Sequence, residues 1–249
     1  MFSEVAEVPD AGRRRLLVAG GAGLLAALAG CSVSGTSPGA AVGPRRFVPE
    51  SLIKTDFAHF VEMSQRRIFV SLRLLAEKLY RRNPREWRKS GAESVEEAVS
   101  VIFDVHHRWR FPGLHHRRDV EALLLAFDAD FAGDRVQAFI VGMASMVQSA
   151  FGDNVAFYLA NDLNAQSLYN AARNVEIAVW RLSTYRDEND VLLLLSNEMG
   201  EINNLSFERE FGRIVGTLEV LTDITEYKTE RTVIRVVQNM ATAVFLPIF

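Results

Sequence analysis

Arg135-Val136-Gln137-Ala138-Phe139-Ile140-Val141-Gly142-Met143-Ala144-Ser145-Met146-Val147-Gln148-Ser149-Ala150-Phe151 carries one charge, at its first residue. A helix of that sequence is apolar all round, and such a helix belongs at the centre of a protein. Ala138, Gly142, Ser145 and Ser149 fall along one side of it. Small residues at that spacing let a neighbouring helix approach closely, as they also do between membrane helices. The run is too short to span a bilayer and has Gln137 and Gln148 near its ends, so it reads as core.

Outward from this segment the pattern is helical nearly throughout. Phe57, Phe60, Val61, Ile68, Leu72, Leu75 and Leu79 recur at three- and four-residue spacing, which predicts a helix over about 55–82. Asn83-Pro84 reads as a cap followed by a first-turn proline, opening a short helix that Gly91 ends. Ser94 with Glu97 fits a capping box before Val95, Val99, Ile102 and Phe103. Phe111-Pro112-Gly113 is a turn. A helix is expected over about 117–131, broken by Ala132-Gly133-Asp134. Asp162 is expected to cap a long helix reaching about Tyr185, with Leu168, Ala172, Val175, Val179 and Leu182 facing inward. Residues 191–195 fit either a strand or a helix start. Ser206 should cap another helix, and about two helices should finish the chain. The expected fold is all-α: a single-domain helical bundle of about 6–8 helices over 51–249.

The totals bound the class. The chain has 249 residues, 28 Lys+Arg against 31 Asp+Glu, one cysteine and 49% hydrophobic residues. That apolar fraction and small net charge exclude a disordered chain. One cysteine excludes an internal disulfide framework and a cysteine-based zinc site. A near-neutral whole is not the footprint of a nucleic-acid binder. No apolar run reaches the ~20 residues of a spanning helix.

At the N-terminus, Arg13, Arg14 and Arg15 precede Leu16 to Leu28, a stretch of Leu, Val, Ala and Gly alone. This is a basic region followed by a short apolar one. It ends in Leu28-Ala29-Gly30-Cys31, which resembles the lipobox of bacterial lipoprotein precursors. The resemblance implies a diacylglyceryl group on the Cys31 thiol, cleavage between Gly30 and Cys31, and acylation of the new amine. Residues 1–30 would then be a cleaved signal peptide. Ser32 after the cysteine resembles an outer-membrane address, where aspartate marks retention at the inner membrane. Arg13-Arg14-Arg15-Leu16-Leu17 also fits a loose twin-arginine pattern, although an ordinary secretory n-region is the preferred reading. From Ser32 to Pro49, Gly, Ser and Pro dominate, so 31–50 reads as a lipidated cysteine and flexible tether. At ~5–6 Å × √n, that tether sets the folded body roughly 20–25 Å from the lipid.

Charge is divided along the chain. Residues 31–118 hold 16 basic and 9 acidic residues, whereas 119–249 hold 9 basic and 19 acidic. Either the basic half faces anionic headgroups, or the two sets are solvated helix faces that pair across the fold.

One constellation suggests chemistry: His106-His107-Arg108-Trp109-Arg110-Phe111-Pro112-Gly113-Leu114-His115-His116. Asp104 lies three residues before His107, and Asp119 three after His116. That spacing would put each pair on one helix face. Asp104, His107, His116 and Asp119 converging at a hairpin could ligate a transition metal. Arg108, Arg110, Arg117 and Arg118 share the segment and oppose a cation. They better suit an anion such as phosphate, or an acidic partner surface. The plainest reading is a solvated hairpin.

Other features carry less. Asp128, Asp130 and Asp134 hint at a calcium loop, but its twelfth position is Phe139, so they read as helix joints. No Gly-x-Ser-x-Gly, Walker A or His-Glu-x-x-His motif is present. Asn161, Asn164, Asn170 and Asn174, with Arg173 and Glu176, make one helix unusually amide-rich. Such amides line a polar groove or lock helices together, the second being the commoner use. Val244-Phe245-Leu246-Pro247-Ile248-Phe249 resembles the last strand of an outer-membrane barrel, but no alternating strands precede it, and a docked tail fits better.

The sequence therefore leads to an expected lipid-anchored, cell-envelope protein facing the periplasm, attached to the membrane and to a protein partner. Its expected role is non-catalytic binding or assembly, with no cofactor. The competing expectation is a metal- or anion-binding enzyme or sensor centred on His106–His116.

Overall fold

The computed structural model describes residues 56–103, 108–154, 163–198 and 203–249. The signal segment, Gly30, Cys31, Ser32 and the tether lie outside the described residues, as do Asp104, His106, His107, Asn161 and Asp162. Among the described residues there are seven α-helices: α1 (Asp56–Arg82), α2 (Pro84–Lys89), α3 (Val95–Phe103), α4 (Asp119–Ala126), α5 (Arg135–Ala150), α6 (Ala165–Thr184) and α7 (Ser206–Thr229). They carry no named strand. Isolated bridges pair Arg186 with Leu192 and Glu198 with Asn204. All described residues fall within the unit Phe47–Phe249.

α5 is the axis of the fold. Its all-round apolar sequence is buried all round: only Gln148 and Ser149 reach an intermediate exposure. It packs against α1, α2, α3, α4 and α6. α1 is about 40 Å long at 1.5 Å per residue. It buries Val61, Ile68, Leu72, Leu75 and Leu79 against α5 and α7. α6 and α7 form the other long pair.

The small-residue side of α5 seats α4. A Cβ on Gly142 would lie 2.6 Å from the Leu123 backbone nitrogen and 3.0 Å from the Asp119 carbonyl oxygen, so only glycine admits α4 at this distance. Ser145 Oγ donates to Val141 O and accepts from Asp119 N, both at 2.6 Å. Ser149 Oγ accepts from Arg118 and donates to Asp119 Oδ1. These hydroxyls use the start of α4 as their partner, which satisfies a donor that a helix N-terminus leaves open.

The joint between α4 and α5 explains why α4 stops at Ala126, short of the expected 131. Arg135 donates to the carbonyls of Ala126, Asp128 and Ala129, and so collects the groups that a continued helix would have used. Asp134 caps α5 by accepting from Gln137 N at 2.8 Å, and Tyr80 Oη donates to its other oxygen at 2.8 Å. Glu86 Oε2 accepts from Arg135 N at 2.7 Å. Burial pushes the Asp134 carboxyl up to about 6, and burial beside Asp134 pushes the Tyr80 phenol well above its usual range.

Several expected caps are placed differently. Asn83 does not cap α2 with its side chain. Its amide donates to Leu79 O and Leu195 O and accepts from Leu195 N, binding the 191–198 segment to the end of α1. That segment is neither strand nor helix. Glu97 N bonds Ser94 Oγ as expected, but the Glu97 carboxylate returns to Glu93 N instead of Ser94 N. Asn164 caps α6, accepting from Gln166 N and Ser167 N. Ser206 is the first residue of α7, and its hydroxyl donates to Asn204 Oδ1. After α7 there are no further α-helices, only a tail from Glu230 to Phe249 with one 3₁₀ turn at Met240–Thr242.

Candidate functional site

The hairpin arginines divide into two kinds. Arg118 is committed to structure: it donates to Ser149 Oγ at 2.6 Å and Asp153 Oδ1 at 2.8 Å, and its Nε lies 3.1 Å from Asp119 Oδ2. Arg108, Arg110 and Arg117 are exposed, with Arg110 donating to His116 O. Of the four arginines expected to face an anion or partner, Arg118 is thus already paired within the fold.

The expected His116–Asp119 helix face does not form. His115, His116 and Asp119 all have positive φ, near 52°, 57° and 54°. Residues 112–118 are a 3₁₀ turn, a further turn at 115–116 and two irregular residues, so three-residue spacing does not stack side chains here. Asp119 is instead bonded to Arg118 and Ser149. Asp104 and His107 lie outside the described residues, and among the described ones no group of three His, Cys, Asp or Glu is arranged to hold a metal ion.

Two other places have the geometry of binding surfaces; the amide-rich sequence of α6 marks the second, and no sequence pattern marks the first. The first lies between α1 and α7. It is a cavity of about 760 Å³ lined by Met63, Val70, Gly212, Gly216 and Val220 and by Arg66, Arg67 and Arg213, with no acidic residue in its lining. Met63 and Val70 are about two-thirds exposed, at 66% and 64%, so the surface is apolar and open. Gly212 and Gly216 stand one turn apart, and a Cβ on either would meet nothing within 4 Å. Arg213 bonds the buried Glu210, which also accepts from Ser71 Oγ. Arg66 and Arg67 make no ion pair among the described residues.

The second lies along α6. The amide-rich face holds the C-terminal tail by its backbone. Asn174 donates to Leu246 O at 2.8 Å and accepts from Leu246 N at 2.6 Å. Asn170 donates to Pro247 O at 2.8 Å. Ser167 Oγ both donates to and accepts from Phe249. Gln166 and Tyr169 do the same to Ile234 and Val236. Gln238 closes the bend between the two tail arms through Val244 N and Val244 O. The tail is therefore docked, and Asn170 and Asn174 hold that tail where the sequence led us to expect them to lock one helix to another.

Beside the tail, a cavity of about 510 Å³ is lined by Tyr169, Arg173, Glu176, Glu219, Asp223 and Arg235. Its charges pair internally. Arg173 bridges Glu176 and Glu219, and Arg235 bridges Asp223 and Glu226. Burial raises the Glu176 carboxyl, while the Arg235 hydrogen bond lowers that of Glu226.

No family model, curated protein or solved structure matches the chain. Among the described residues no helix is long and apolar enough to cross a membrane.

Proposed function

We propose that this chain is a lipid-anchored cell-envelope protein that acts without catalysis, as a binding or assembly module, and that it docks a partner in the α1–α7 groove. The anchor is the acyl group on Cys31 after cleavage behind Gly30, and Ser32 supports an outer-membrane position facing the periplasm. The single observation that carries the docking reading is the groove itself: exposed Met63, Val70 and Val220 over a floor opened by Gly212 and Gly216, flanked by Arg66, Arg67 and Arg213. Contiguous exposed apolar surface with a polar rim marks an interaction site.

Shape and charge select the occupant. A groove between two helices takes a rod of about 10–12 Å, the diameter of another helix. A flat bilayer surface would not enter it. Arg213 is paired with Glu210, whereas Arg66 and Arg67 make no ion pair among the described residues and no carboxylate lines the groove; these two guanidiniums favour acidic flanks, since charge complementarity sets partner choice. The partner is thus an amphipathic helix with an apolar face and acidic edges.

The test titrates the purified chain with a labelled amphipathic helix of Leu and Glu, and with the same helix carrying Lys for Glu. The acidic helix should bind and the basic one should not. Gly216→Leu, which fills the floor, and Arg66→Glu with Arg67→Glu, which reverse the rim, should each weaken binding about tenfold or more, a loss of ~1.4 kcal/mol. Equal binding of both helices, or indifference to Gly216→Leu, overturns the reading.

A further inference from the structure

The contacts between α6 and the tail repeat with a period. Arg181 donates to Ala243 O at 3.0 Å, Asn174 holds both polar groups of Leu246, and Ser167 holds both of Phe249. On the helix these positions are seven residues apart; on the tail they are three apart, in the opposite direction. Seven helical residues rise about 10.5 Å, and three polyproline-II residues rise about 9.3 Å. The two repeats therefore stay in step over the length of α6. Ala243, with φ −64° and ψ 135°, has the polyproline-II conformation. Phe245 and Ile248, also three apart, pack against the core.

Every one of these polar contacts is to backbone. A ladder that reads backbone and asks only for apolar residues three apart does not specify which copy of the chain supplies the segment. The tail buries few of its own side chains. From Glu230 to Phe249 only Val233 and Ala243 are buried, and Ile234, Val237, Val244 and Phe249 are 65–98% exposed. Its root, Glu230, ends α7 in the left-handed region at φ 53°. Releasing the arm and seating it elsewhere exchanges identical hydrogen bonds, the condition under which arm exchange is cheap.

We propose that the Ser167–Asn174–Arg181 ladder is a binding site for an extended, polyproline-II-type segment, and that its ligand in trans is the tail of a second copy of this chain. Copies pair by crossing their C-terminal arms, each laid on the partner's α6. This pairing is independent of the α1–α7 groove.

The test is complementation between two variants of the full chain. Asn170→Ala with Asn174→Ala breaks the ladder and leaves a sound tail. Phe245→Ser with Ile248→Ser releases the tail and leaves a sound ladder. Leu246→Pro, which removes the N–H that Asn174 accepts and replaces the Leu side chain with a ring that still permits polyproline-II backbone, is a second tail variant in case the first fails to fold, with helical circular dichroism as the check. Sedimentation velocity should show wild type dimerising as its concentration nears the millimolar effective concentration of its own tethered arm. Each variant alone should dimerise about tenfold less, and an equimolar mixture should form a heterodimer. A wild type that stays monomeric, a ladder variant that dimerises like wild type, or a mixture of folded variants without heterodimer would each overturn the proposal.

Discussion

The backbone nitrogen of Leu123 lies so close to Gly142 that a Cβ there would come within 2.6 Å of it. α4 and α5 are held at this distance by backbone, which cannot swing aside as a long side chain can. Gly142→Ala should therefore destabilise, and Gly142→Leu should do so severely, beyond the ~1–3 kcal/mol typical of overpacking. Denaturant midpoints measure it. An unchanged midpoint for Gly142→Leu would contradict the packing of α4 on α5.

Asp134 makes stability depend on pH in an identifiable direction. Burial raises its carboxyl to about 6, above the usual carboxylate range. The folded state thus favours the protonated form. The stabilisation this gives is complete below about pH 4 and lost as pH rises through about 6, where the fold must hold a buried carboxylate. Relative to Asp134→Asn, wild type should gain on the order of 2 kcal/mol between pH 7 and pH 4. Parallel stability curves for the two proteins would contradict this assignment.

The hairpin arginines should separate by role. Arg118→Gln removes bonds to Ser149 and Asp153 and an ion pair with Asp119, and should cost about 1–2 kcal/mol. Arg108→Gln, Arg110→Gln and Arg117→Gln, at exposed positions, should each stay within about 0.5 kcal/mol. Thermal melts of the four single variants check the split.

Lipidation is tested at Cys31. Cys31→Ser should accumulate as unprocessed precursor that takes up no labelled fatty acid. Normal processing and membrane pelleting of that variant would remove the anchor from the account.

The parts of the fold that were legible are those with a periodic mark. α5 is apolar on every face, and α1 repeats its apolar residues at helical spacing. The tail's attachment left a weaker trace. Asn174 and Leu246 are 72 positions apart and meet side chain to backbone, so no local pattern encodes the pair; the signal was the unusual run of amides on α6. The end of α4 was hidden for a related reason, because Arg135 takes its last carbonyls from outside the helix. His116 and Asp119 misled because spacing predicts a shared face only if the backbone is helical, and both residues have positive φ. The α1–α7 groove was invisible because it depends on two helices meeting, with Gly212 and Gly216 supplying absence rather than pattern.

The most direct test of partner docking places a photo-crosslinking residue at Val220, half-exposed at the edge of the groove, in intact cells. Illumination should give one discrete adduct whose crosslinked segment, mapped by mass spectrometry, is an acidic amphipathic helix of a protein, and Gly216→Leu should abolish it. An adduct to lipid, or a protein adduct that persists when Gly216→Leu fills the groove, would contradict the account.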